Sequence, residues 1–186
     1  MTMGNTESGT ACVRDRPEPE FTHLQEFIHN LPYLLMGLCG GAVLLTGFGS
    51  SVHGWLAAGL YGAYCLCGAA WIMLFVCPYC QHYGNRACPC GYGQIAARLT
   101  PRQPENQFAR QFRAHIPVIV PLWVIPLAAG IAFYARHRSP MMLGLLTAFV
   151  VDAFVVVPLV SRLYGCGHCP QKHDCPWMIN RNGVSA

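Results

Sequence analysis

The sequence predicts an all-α integral membrane protein: four transmembrane helices in a bundle, with a small, irregular, cysteine-rich lobe on the cytosolic side. Three observations predict it. Hydrophobic residues make up 53% of the 186-residue chain and charged residues only 11%, against about 25% charged in soluble domains; the mean hydropathy is +0.33. Four apolar runs have about the twenty residues that a helix needs to cross a bilayer core of roughly 30 Å. Seven of the eleven cysteines fall in two polar stretches, which directly follow the second and fourth runs.

Residues 1–20 are polar, contain Pro17 and Pro19, and show no basic segment leading into a short apolar core. They read as a disordered tail and not as a cleavable signal. Phe21, Leu24, Phe27, Ile28 and Leu31 then recur at helical spacing, as an amphipathic turn lying along the headgroups would. The first span covers 31–49 and the second 54–76, joined by a link short enough only for a tight helical hairpin. Phe108 and Phe112, with Arg110 and Arg113 beside them, form a second interfacial turn before the third span at 116–135, which carries Pro121 and Pro126. The polar break Arg136-His137-Arg138-Ser139-Pro140 leads to the fourth span at 141–161. Residues 21–161 are thus one transmembrane domain with a cysteine-rich loop at 77–115, and 162–186 form a cysteine-rich C-terminal segment. The small-residue pairs Gly37/Gly41 and Ala58/Gly62 are the expected helix contacts.

Cation asymmetry orients the bundle. The tail, the loop after the second span and the C-terminal segment hold ten cations: Arg14, Arg16, Arg86, Arg98, Arg102, Arg110, Arg113, Arg162, Lys172 and Arg181. The opposite side holds Arg136 and Arg138. By the positive-inside rule both termini and both cysteine stretches are cytoplasmic. The net charge of +4 is therefore a topology signal, and no tract resembles a nucleic-acid-binding one.

The first stretch, CPYCQHYGNRACPCGYG, holds Cys77, Cys80, Cys88 and Cys90; the second, CGHCPQKHDCPWM, holds Cys166, Cys169 and Cys175. Each opens with C-x-x-C, a spacing that lets two thiolates bind one metal while backbone amides point at the sulfurs. Proline follows Cys77, Cys88, Cys169 and Cys175, fixing turns and blocking helix. In a reducing cytosol such a framework points to metal binding or catalysis, not to disulfides. Seven thiols are one short of two four-cysteine sites, and His82, His168, His173 or Asp174 can supply the eighth ligand. Equally, Cys77, Cys80, Cys88 and Cys90 can form one site, and Cys166, Cys169 and Cys175 with a histidine a second. The ligand is an iron–sulfur cluster, which carries electrons, or zinc, which staples the loops.

Cys77-Pro-Tyr-Cys80 and Cys166-Gly-His-Cys169 resemble the dithiols of thioredoxin-fold oxidoreductases. The four-helix architecture is similar to that of the disulfide-bond-forming membrane enzymes that pass electrons to quinone. That resemblance implies thiol redox chemistry on the oxidising side of the membrane, opposite to the cation count.

Asp152 lies near the middle of the fourth span, where a carboxylate costs about 2.5–3.5 kcal/mol on insertion scales. It reads as a proton relay or quinone contact, or as a neutral acid hydrogen-bonded to Tyr61 or Tyr64. His29, His115, His53 and His137 mark span ends, as interfacial residues or as haem ligands. Cys39, Cys65 and Cys67 read as packing residues inside spans. The expected function is a membrane electron-transfer subunit, carrying an iron–sulfur cluster between a soluble donor and a quinone or protein partner in a larger complex. A zinc-stapled scaffold, a dithiol oxidoreductase and a metal transporter are the alternatives.

Overall fold

The computed structural model describes residues 20–49 and 51–165, and among them all regular structure is helical. Helix α1 spans His23–Gly47, α2 Val52–Phe75, α3 Tyr92–Leu99, α4 Phe108–Ile119, α5 Pro121–His137 and α6 Pro140–Val151. A π-helical segment, Asp152–Val156, joins α6 to the short α7 at Val157–Val160, and a second π-helical turn follows at Ser161–Gly165. Four stretches are long and apolar enough to cross a membrane: His23–Gly47, Val52–Tyr79, Glu105–His137 and Pro140–Tyr164.

The elements begin earlier than the apolar runs do. Thr22 and Gln25 form a reciprocal capping box, which satisfies two orphan amides at the start of a helix. Helix α1 therefore starts at His23 and runs through Pro32 without ending. The expected interfacial turn at residues 21–31 and the first span are one rod. The Phe108–Phe112 turn is likewise the start of α4, with the two rings 5.7 Å apart. The lobe is less irregular than expected, because Tyr92–Leu99 forms a helix within it.

Helix α1 touches α2, α5 and the α6–α7 segment. The core it organises contains Met36, Leu44, Tyr61, Leu122, Phe149 and Ala153. Leu34, Leu38, Leu56, Leu60, Val124 and Ile131 are exposed on the outside, an apolar exterior far beyond what soluble monomers present. Of the predicted contact glycines Gly37 faces Cys65 of α2 at ordinary contact distance, 3.8 Å from a Cβ to its sulfur, but the close contacts lie elsewhere. A Cβ on Gly41 or Gly62 would meet nothing within 4 Å, whereas one on Gly40 would come within 2.7 Å of the Tyr61 ring. The aromatic partner, not the small-xxx-small spacing, selects the position. Cys39 and Cys65 pack against the core, but Cys67 is exposed on the bundle exterior and is not the interior packing residue expected.

Pro126 and Pro158 each open a backbone carbonyl within a span, and an aromatic donor on a neighbouring helix closes it. Pro126 has no N–H for the carbonyl of Leu122 four residues back; the Tyr61 hydroxyl donates to that carbonyl at 2.9 Å. Tyr64 donates to Val118 O, in the turn where Pro121 begins α5. In the fourth span the Val157 amide bonds to Asp152 O, five residues back. In the same register Pro158 leaves Ala153 O open, and the Trp123 indole N–H donates to it at 3.3 Å. In a medium without water each open carbonyl is costly, so these bonds fix how the helices pack.

Tyr61→Phe is expected to destabilise the detergent-solubilised protein by about 0.5–2 kcal/mol. In a Pro126→Ala background, where the backbone N–H returns, the loss should shrink. Equal losses in both backgrounds, by reversible denaturation, would contradict this pairing.

Candidate functional site

The first cysteine stretch folds as a run of tight turns that begins where α2 ends. Proline at position 78 and the Cys80 amide, 3.0 Å from Cys77 O, close a 3₁₀ turn over Cys77–Tyr79. The Tyr83 amide reaches Cys80 O at 3.1 Å, Cys88 reaches Asn85 O at 3.3 Å, and Gly91 reaches Cys88 O at 3.1 Å. Gly91 then caps α3 in the left-handed region with φ of 72°, a conformation that favours glycine. The Gly93 amide donates to Cys88 Sγ at 3.4 Å, the kind of N–H···S bond that stabilises a thiolate ligand and tunes a cluster. Gly93 also lies flush against the His82 backbone, where a Cβ would come within 2.4 Å of His82 O.

These turns place the sulfurs in one lobe. Burial pushes the Tyr92 phenol up to about 12, and the nearby Cys90, Tyr33, Cys77 and Cys88 push in the same direction. Cys77 is within electrostatic range of Cys80, Cys88 and Cys90. His82 is buried in the lobe, 7% exposed. Among the described residues, however, no three side chains of His, Cys, Asp or Glu are arranged as a metal-ligand set. Cys166, Cys169, Cys175, His168 and His173, and with them the second half of the expected site, lie outside the described residues.

The amphipathic turn of α1 holds the lobe to the bundle. Glu26, His29 and Asn30 share one helical face. Gln94 of α3 donates to the Glu26 carboxylate at 2.8 Å. Asn30 Nδ2 donates to Cys90 O at 3.0 Å and to Glu26 O at 2.8 Å. His29, only 7% exposed, bonds through Nδ1 to Pro89 O at 3.0 Å. A carbonyl only accepts, so Nδ1 carries a proton and donates it. Metal-ligating histidines have the same arrangement, donating the other ring N–H to a backbone carbonyl.

The His29 ring also reaches the end of the fourth span. Its centroid lies 5.2 Å from that of Tyr164, and 5.2 Å from that of Phe21. Tyr33 and Ser161 share a 2.7 Å hydroxyl bond on the same side. The chain therefore arrives, two residues before Cys166, beside the Cys88-Pro89-Cys90 turn. Sequence reasoning placed His29 at a span edge and missed its contacts with Pro89 and Tyr164. The available signal was its position at i+3 from Glu26 and one residue before Asn30, a polar stripe on an otherwise apolar turn.

Asp152 is interior, 9% exposed, at the start of the π-helical segment. Neither tyrosine proposed as its partner bonds to it, because Tyr61 and Tyr64 serve Leu122 O and Val118 O. Asp152 Oδ2 has no hydrogen-bond partner among the described residues, and Cys39 on α1 lies within its electrostatic range.

Gly93→Ala is expected to unseat the lobe, measured as faster alkylation of Cys88 with little change in helical content. Unchanged Cys88 reactivity would contradict the packing of Gly93 on the His82 backbone. No protein-family profile matches the sequence, and comparisons with curated proteins and with solved structures give no match.

Proposed function

We propose that the chain is a membrane electron-transfer subunit whose two sulfur-bearing segments share an iron–sulfur cluster. The observation that carries the proposal is the position of His29, bonded to Pro89 in the first segment, with its ring 5.2 Å from that of Tyr164 two residues before Cys166. A ring that touches the first segment and the residue two places before Cys166 supports ligands from both segments meeting at one centre. Cys77, Cys80, Cys88 and Cys90 would hold it from one side, and Cys166, Cys169 and Cys175 from the other, with His82, His168, His173 or His29 available to complete the set.

The surroundings suit a cluster. Phe21, Ala87, Tyr92 and Ala96 give the lobe an apolar shell, with Ala87 and Ala96 buried, and Gly93 supplies an N–H···S bond. Burial and hydrogen bonds to sulfur are the protein's means of setting a cluster potential. An iron–sulfur cluster supplies one-electron transfer. A soluble reductant provides the electrons, and a membrane quinone accepts two of them with two protons. The excess of cations beside both sulfur segments supports a cytoplasmic lobe. Asp152, an interior carboxyl with an unpartnered oxygen, is the bundle's proton-handling group.

Anaerobically purified protein is expected to be brown, with stoichiometric iron and acid-labile sulfide, and Cys88→Ser should lower the iron content. A colourless sample with stoichiometric zinc would replace this reading with a zinc-stapled scaffold. Asp152→Asn is expected to retain its iron while slowing quinone reduction by about 10²-fold, in the range of a lost proton-transfer group. An unchanged rate would remove Asp152 from the pathway.

A further inference from the structure

An open recess of about 240 Å³ lies where α2 passes into the first cysteine turn, lined among others by Phe75, Pro78, Tyr79, Gln103, Gln111 and His115. Since an apolar cavity of ~150 Å³ holds benzene, this one has room for one substituted six-membered ring. Its wall is more polar than apolar, and none of its lining residues is Lys, Arg, Asp or Glu. That lining suits a neutral, planar, oxygen-bearing ring and is poor for a phosphate or carboxylate.

His115 is set up as a donor. The Trp71 indole N–H points at His115 Nδ1 at 3.2 Å. Indole nitrogen only donates, so Nδ1 accepts and the ring proton sits on Nε2. Phe75 stacks on the imidazole at 5.2 Å with an interplanar angle of 26°, fixing its plane. The Gln103 amide donates to Pro78 O at 2.9 Å, so the same wall is pinned to the Cys77–Cys80 turn. The cavity thus sits at the polar end of two apolar helices, against the sulfur lobe.

We infer that this cavity binds the head group of a membrane quinone, with His115 Nε2–H donating to one quinone carbonyl and Phe75 and Tyr79 flanking the ring. The redox meaning of the site rests on the electron-transfer reading above; the binding does not.

The test uses the full chain in phosphatidylcholine nanodiscs with a short-chain azido-ubiquinone, labelled photochemically and mapped by peptide mass spectrometry, alongside competition by short-chain ubiquinone. The expected label falls on residues 74–79 or 100–115. His115→Leu should weaken competition at least tenfold, while His115→Gln, which keeps a donor, should remain within about threefold of the parent. Label spread over the lipid-facing helices, unchanged affinity in His115→Leu, or displacement of the quinone by phosphatidylglycerol would overturn the inference. Iron is measured on the same samples. Site-specific label without iron would sink the cluster reading and leave the quinone site; iron without label would do the reverse.

Discussion

The sulfur-bearing end of this molecule depends on one hydrogen bond, from His29 Nδ1 to the carbonyl of Pro89. It joins the first turns of α1 to the Cys88-Pro89-Cys90 segment, and the same ring lies against Tyr164 at the end of the fourth span. Asn30 and Glu26 repeat the attachment at Cys90 and Gln94. This polar face adds an attachment to α1 beyond the chain's own continuity with α2 and α4. With it, a loop of tight turns is fixed to the helix that touches all the other spans.

The bundle beneath obeys a related constraint. Its helices contain Pro126 and Pro158, each of which leaves a carbonyl without its normal amide. Tyr61 and Trp123 answer these from neighbouring helices. Polar satisfaction in an apolar medium thereby specifies which helix faces which. Asp152 departs from the pattern: it begins the π-helical turn next to Ala153 and keeps one carboxyl oxygen unmatched. A carboxyl at that depth is costly, which is why Asp152 enters the functional proposal.

Much of the architecture was legible in the sequence. Span number followed from apolar run length, and the tight links followed from Gly49–Gly54 and Arg136–Pro140. The boundaries were less legible, because hydropathy ends where polar residues begin, while helices continue as long as caps and backbone bonds allow; Thr22 and Gln25 extend α1 well into polar sequence. The glycine contacts were misassigned because spacing cannot reveal which glycine faces Tyr61. The tyrosines were given to Asp152 because proximity in the apolar layer was legible, but the backbone carbonyls they serve, one of them opened by Pro126, were overlooked. The sulfur spacing made the lobe visible as a unit. The roles of His29 and His115 were hidden, since each depends on a partner far away in sequence: Pro89 and Tyr164 for one, Trp71 for the other.

Sharing of one centre by two segments is the claim on which the functional account turns. X-ray absorption at the bound metal of the full chain, purified without oxygen, tests it most directly when the parent is compared with Cys88→Ser and Cys175→Ser. The account predicts a sulfur-dominated iron shell with iron–iron scattering, altered by both substitutions. A shell that changes with only one of them, or a metal held by neither segment, would contradict it.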